Sequence, residues 1–221
     1  MNIINTLYER YLSAQIAKVP TGIPKHVTLV LAESDLLNPD GISKLRSFIT
    51  WCKKLEINII SIHIDILDVE PNMKNEMVMN LIDQLQTVFS KLPNDIGFEI
   101  YGEHGNLKDK HEGSSPLVYL FVGFRGRDEI TKAVRSLLLD VKSGKIAPDA
   151  IDESVIESHL MIRHEPDIVI RAGGKHLSDF LIWQSVYSEL YFTDVNWSNV
   201  RKIDILRIIR DFQKRQRRFG K

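Results

Sequence analysis

HVTLVLAESDLLNPDGISKLRSFITWCKKLEINIISIHI, residues 26–64, is the stretch whose reading decides the fold. HVTLVLA (26–32) is a short β-branched run of the kind found in buried parallel strands. Leu45, Phe48, Ile49 and Cys52 then recur at helical spacing over 41–55, and INIISIHI (57–64) reads as a second strand. A helix between two such strands is the crossover that parallel neighbours need.

The alternation continues outward in both directions. Upstream, Ile3, Leu7, Tyr11 and Leu12 fall on roughly one helical face, and Pro20, Gly22 and Pro24 stop that helix. Residues 1–25 therefore read as a helix docked on the surface, in preference to one lying in a membrane interface, followed by a linker. Downstream, Met77, Leu81, Leu85 and Val88 mark a long helix ending near Pro93. IGFEIYG (96–102) and PLVYLFVGF (116–124) are two more strands, with HGNLKDKHEGSS (104–115) as a polar loop between them. Ile130, Val134, Leu137 and Val141 define a further helix closed by Ser143 and Gly144. A short helix near 151–160, the strand DIVI (167–170) and a helix beginning near Asp179 complete the pattern. The expected fold is α/β: a single domain over residues 1–221, with a mostly parallel central sheet flanked by helices.

Composition agrees with one domain. The chain has 221 residues, 43% of them hydrophobic, enough for one sizeable core and too few for two typical domains. Lys and Arg number 29, as do Asp and Glu, so no global charge points to nucleic acid. That balance hides a segregation: residues 201–221 hold nine Lys and Arg side chains against Asp204 and Asp211. Cations at a helix end also suit the helix dipole, so a solvated helix terminus is the plainer reading of that segment. Cys52 is the one cysteine, which leaves no intramolecular disulfide and no thiolate zinc site, and fits a reducing cytoplasm. The apolar runs at 29–32 and 58–67 fall short of the roughly 20 residues a spanning helix needs, and MNIINTLYERYLSAQI, with Glu9 and Arg10, lacks the form of a signal peptide. At most peripheral membrane contact is expected.

In DIVIRAGGKHLSDF (167–180) a strand ends at Ile170, Arg171 follows, and Gly173 and Gly174 open the backbone before the next helix. Ligands of α/β sheets gather at the carboxyl ends of strands, where glycine lets backbone amides approach an anion. Arg171, the glycine pair, His176 and Ser178 thus make a candidate phosphate cradle; an ordinary glycine turn with a surface arginine is the bland alternative. FRGRDEI (124–130) joins a strand to a helix, where Asp128 and Glu129 suit the first turn electrostatically, and reads as architectural. His63 and Asp65 share one strand face, but no third ligand stands at metal spacing.

PDIVIRAGG, then LSDFLIWQSVYSELYFTDVNW, then the closing DFQKRQRRFGK resemble, in that order and spacing, the cis-prenyltransferases, the undecaprenyl diphosphate synthase-like enzymes that lengthen an allylic diphosphate with isopentenyl diphosphate. IPKHV, WCKKLEI, FRGRDEI and GKIAPDAIDE extend the resemblance over almost the whole chain. It implies a parallel sheet flanked by helices, and dimers formed through the region around SELYF. It also implies that Arg171 and Ser178 hold the diphosphate of isopentenyl diphosphate, that Glu189 is a carboxylate associated with magnesium, and that Arg218 and Gly220 belong to a terminal R-x-G motif. In family dimers that motif completes the neighbouring subunit's isopentenyl diphosphate site.

The departures are as specific. After its first strand the family has a DGNGRWA segment, whose Asp handles the allylic diphosphate together with magnesium, and then a phosphate loop with Arg and His. Here Ala32 stands where that Asp should be, Glu33, Ser34, Asp35, Leu36 and Leu37 follow, and the loop is about a dozen residues short. The family's FSTENW-like run is replaced by DILDVEP (65–71), and RAGGKHLSDF is one residue short and lacks the second Arg. A damaged allylic site with an R-x-G tail resembles the non-catalytic, Nogo-B receptor-type subunits of heteromeric cis-prenyltransferases, although this chain lacks their membrane segment and keeps IRAGG.

The expectation from sequence is therefore a cytoplasmic accessory subunit, inactive by itself. It would pair with a catalytic cis-prenyltransferase paralogue that holds most of the magnesium, in the synthesis of a long-chain polyprenyl diphosphate, a glycosyl carrier lipid precursor, from isopentenyl and allylic diphosphates. A homodimer of the isolated chain would be compatible with a family-type interface, and the sequence does not decide whether one forms. Two alternatives stay open: a stand-alone enzyme in which Glu33 or Asp35 replaces the missing Asp, and a non-enzymatic module that senses a diphosphate. The first alternative is weakened because a strand-end position and its neighbours point in different directions.

Overall fold

The computed structural model describes residues 3–19, 22–37, 39–67, 70–174, 179 and 181–215. Its centre is a seven-stranded sheet. In chain order the strands are β1 (His26–Ala32), β2 (Ile59–Asp65), β3 (Gly97–Tyr101), β4 (Leu107–His111), β5 (Leu117–Val122), β6 (Ile168–Ala172) and β7 (Glu189–Thr193). Across the sheet they run β4-β3-β5-β2-β1-β6-β7, and only the β3–β4 pair is antiparallel. The helices are α1 (Ile3–Ala17), α2 (Pro39–Lys54), α3 (Pro71–Phe89), α4 (Gly126–Lys142), α5 (Glu153–His159) and α6 (Lys202–Phe212).

The strands at the centre are apolar on both sides, as strands covered on both faces must be. On one face Leu29, Leu31, Ile60, Ile62, Ile64 and Leu120 join Leu45, Phe48 and Ile49 of α2 and Leu85 and Phe89 of α3 in one continuous core. Each such side chain, fully buried, contributes about 1.5–3 kcal/mol. The opposite face carries a smaller cluster of Val30, Phe121, Phe124, Ile162, Val169 and Leu181. α6 adds Ile203, Ile205, Leu206, Ile209 and Phe212 to the larger core, and α1 packs along it.

Two apolar stripes differ from those read in the sequence. In α1 the buried residues are Leu12 and Ile16, one turn apart, while Leu7 and Tyr11 are exposed. In α4 the buried line is Glu129, Ala133 and Leu137, and Val134 is exposed. Both helices lie on the surface, where a narrow stripe suffices and neighbouring apolar side chains remain in water. The polar loop at 104–115 contains β4, an edge strand whose side chains are mostly exposed, so its pairing with β3 rests on the backbone ladder and leaves no apolar alternation to read. ELYF of SELYF, with Thr193, forms β7, the opposite edge. Residues 182–187 form turns, so the helix expected near Asp179 is absent there, and with it the helix dipole that the phosphate-cradle reading had used. Among the described residues no helix is long and apolar enough to cross a membrane.

Candidate functional site

β2, β1 and β6 lie side by side and parallel, so their carboxyl ends meet at one edge of the sheet. Register sets Ala32 opposite Asp65, and Val30 opposite both His63 and Arg171. Ala32, Asp65 and Arg171 therefore share the sheet face away from α2 and α3.

Ala32 presents a methyl group there. Its N–H donates to Asp35 Oδ2 at 2.9 Å, so Asp35 caps the short turn Glu33–Leu36 that follows β1. Gly41 lets α2 sit on this turn, since a Cβ there would stand 2.0 Å from the Asp35 carbonyl. The Gly41 carbonyl in turn accepts from Trp197 Nε1 at 2.8 Å. Glu33 is turned the other way: it is buried and lines a cavity of about 210 Å³ with Leu36, Leu37 and Met77 against α3. The two carboxylates flanking the missing Asp thus diverge, one into a turn cap and one towards α3.

Arg171 Nη1 donates to Asp65 Oδ2 at 2.9 Å. The pair spans β1, and its side chains are 14% and 27% exposed. The backbone beyond turns at Gly173, whose φ of +67° suits glycine and would strain any other residue. Gly173 N–H donates to the Thr193 carbonyl at 3.1 Å, which ties the end of β6 to the end of β7. Gly174 lies over the guanidinium, where a Cβ would be 3.3 Å from Arg171 Nε. His176, Ser178, Arg218 and Gly220 lie outside the described residues.

Glu189 is not part of this cluster within one protomer. It begins β7, opposite Ile168 in register, and so stands at the amino ends of the strands. Four residues of strand, roughly 13 Å, separate it from the level of Thr193. There it accepts from Arg215 Nη1 at 2.5 Å, while Arg215 also pairs with Asp211 at 3.1 Å and lies 4.5 Å from the centre of the Tyr191 ring. These contacts raise the pKa of Arg215, the hydrogen bond to Glu189 first among them.

Sequence reasoning missed Asp65 as the partner of Arg171, a pairing that depends on register across three strands. It also understated Glu129, which is buried and accepts from Ile162 N–H at 2.8 Å and from Gln184 Nε2 at 3.2 Å. Gln184 Nε2 donates to the Ile162 carbonyl as well, at 2.7 Å. FRGRDEI is thus a clamp that holds the 160–164 segment and the first turn after Leu181 on the second face of the sheet. Burial pushes the Glu129 carboxyl up, against the pull of its hydrogen bonds. His63 is buried and stacked on Phe121 with ring centres 4.6 Å apart, and burial lowers its pKa to about 3. The described residues contain no group of three or more His, Cys, Asp or Glu side chains arranged to hold a metal ion. Ala32 offers no ligand, Asp35 is committed to its turn and Asp65 to Arg171, so these residues do not fit the magnesium that the resemblance implies.

A family model for undecaprenyl diphosphate synthases matches residues 38–220. The chain belongs to this cis-prenyltransferase family. It is 34% identical to a tritrans,polycis-undecaprenyl-diphosphate synthase (geranylgeranyl-diphosphate specific) of Thermococcus kodakarensis, over 99% of this chain and 96% of that protein. It is 32% identical to isoprenyl transferase 1 of Tropheryma whipplei, over 99% and 95%. The first alignment runs over 255 positions against the 221 residues of this chain, so the relative carries segments that this cis-prenyltransferase homologue lacks. The fold matches the crystal structure of lavandulyl diphosphate synthase from Lavandula x intermedia in complex with dimethylallyl diphosphate, with a TM-score of 0.75 at 23% identity, covering 91% of this chain and 100% of that one.

Proposed function

We propose that this cis-prenyltransferase homologue is an accessory subunit, catalytically inactive by itself, that pairs with a catalytic relative and helps it make a long-chain polyprenyl diphosphate. The observation that carries the reading is the carboxyl end of β1. Ala32 supplies a methyl group where the resemblance requires a carboxylate, and neither neighbouring acid replaces it, since Asp35 caps the backbone at Ala32 and Glu33 turns towards α3.

The supported reaction is a head-to-tail condensation. The allylic carbon–oxygen bond breaks, diphosphate leaves, a carbon–carbon bond forms to isopentenyl diphosphate, and a proton is lost. The catalytic relative would hold the allylic diphosphate and most of the magnesium, which stabilises the departing anion. This chain would lend Arg218 and Gly220 of its R-x-G tail, and Arg171 and Ser178 would retain at most a weak hold on diphosphate. β7 supports association, since an edge strand with exposed Leu190 and Phe192 beside exposed Val186 and Tyr187 leaves backbone groups and apolar surface to be covered. Glu189, at the start of β7, pairs with Arg215 in the turn after α6, and Glu189 would act across that interface.

The test is co-purification with the catalytic relative, followed by Arg218→Ala in the complex. Turnover is expected to fall about tenfold or more with the subunits still associated, since a charge-assisted contact is worth roughly 1.5–3 kcal/mol, while Lys221→Ala does much less. Equal effects of the two changes would contradict the R-x-G assignment. A second reading, a stand-alone synthase, draws on one observation: relatives 30–34% identical over nearly the full chain are named as synthases. It requires turnover by the pure chain.

A further inference from the structure

Arg171 is divided between two environments. Its Nη1 donates to Asp65, whereas its Nε is buried and has no hydrogen-bond partner among the described residues. Geometry fixes the pairing. Ala32 is opposite Asp65 and Val30 opposite Arg171, so the two side chains reach over β1 on one face, past a methyl group that adds no bulk. The Gly174 backbone covers the guanidinium and holds it against the sheet. At 14% and 27% exposure the pair is weakly screened by solvent.

A guanidinium accepts a carboxylate or a phosphate oxygen at the same fork of donors. A carboxylate tethered in the next strands competes as an intramolecular ligand, at high effective concentration. It also places a negative charge where a second anion would have to settle.

We propose that Asp65 is an internal counter-anion that occupies the diphosphate's place on Arg171, so that residue 65 decides whether this chain's own strand-end site accepts diphosphate. The inference deepens the accessory-subunit reading, and its test is separable from that reading because binding is measured without primer, partner subunit or turnover. The buried Nε–H stays beneath Gly174 and takes no acceptor among the described residues, so the donor that Asp65 withholds is Nη1, and removing Asp65 frees it.

The experiment is calorimetric titration of inorganic pyrophosphate, without magnesium, into the wild-type chain, Asp65→Asn, and Asp65→Asn combined with Arg171→Ala. Asp65→Asn is expected to bind pyrophosphate about tenfold or more tightly than wild type, the scale of one charge-assisted contact, and the double variant is expected to lose that gain. Because Asp65→Asn leaves Arg171 without its counter-ion and can impair folding, the wild-type chain supplies a second readout. Its Arg171 Nε–H resonance, assigned with Arg171→Lys, is expected to stay in place as pyrophosphate is added to about 1 mM, where an unobstructed site of ordinary affinity would be filled. Unchanged affinity in a folded Asp65→Asn chain, or a shift of that resonance in wild type at micromolar pyrophosphate, would overturn the proposal.

Discussion

Glu129 stands in the first turn of α4, where a helix dipole welcomes a carboxylate, yet its oxygens serve other donors. Replacing it by Ala leaves the Ile162 N–H and one Gln184 donor direction without an acceptor inside the protein. The expected loss is about 2–4 kcal/mol, read as a lower urea midpoint, while Asp128→Ala at the exposed neighbouring position should stay within about 0.5 kcal/mol. Equal losses would show that the dipole, and not the clamp, is what Glu129 serves. At Ala32 the expectation is reversed: Ala32→Asp should not create an enzyme. The new carboxylate would face Asp65 across the strand pair and stand beside the Asp35 cap, with the shortened phosphate loop and DILDVEP unchanged. Members of a catalytic set are strongly non-additive, so restoring one returns little rate. Isopentenyl incorporation by the purified variant, with magnesium and a primer, measures this; activity within about tenfold of an ordinary family member would show that the remainder of the site is intact.

Among the elements, α1 gives the sharpest contrast between two apolar positions. Leu12 is buried against the core and Leu7 is exposed, so Leu12→Ala is expected to cost about 2–4 kcal/mol and Leu7→Ala almost nothing. The difference in thermal or urea midpoint checks it. Elements of this kind were legible in the sequence to the extent that burial wrote their pattern. The spacing of α2 is such a case, since Leu45, Phe48, Ile49 and Cys52 are all fully buried, and β1 and β2 announce themselves because both faces are covered. β4 and β7 escaped because edge strands are held by backbone hydrogen bonds, which leave little trace in side chains. The turn at 182–187 escaped because LIWQSVY carries helix-like apolar spacing, while Gln184 and Ser185 bond to the Ile162 and Leu181 carbonyls. Of the candidate site, Arg171 and the two glycines were legible from residue type at a strand end. The Asp65 contact was not, because it needs the order β2-β1-β6. The position of Glu189 at the opposite ends of the strands follows from the register of β6 and β7, which no local pattern encodes.

At the scale of the whole molecule, two buried imidazoles couple stability to pH. His26 donates to or accepts from Ser61 at 2.8 Å and has its pKa lowered to about 4, chiefly by burial; His63, for the same reason, titrates near 3. The unfolded chain binds these protons near pH 6.5, and the folded chain refuses them. Stability is therefore fully present above about pH 6.5 and declines as pH falls towards 4, by up to about 2.7 kcal/mol per pH unit where both imidazoles differ by a full proton. Urea midpoints at pH 7, 5.5 and 4.5 check it, and a flat profile would contradict it. The larger arrangement is a cis-prenyltransferase fold whose strand-end acids are committed to a turn cap, an internal ion pair and the α3 side of the sheet. The measurement that bears most directly on this account is isopentenyl transfer by the pure chain with magnesium and geranylgeranyl diphosphate, repeated after addition of the catalytic relative. The expected result is no incorporation by the chain by itself, and in the complex a rate above that of the relative without it; sustained turnover by the pure chain, at rates ordinary for its family, would contradict it.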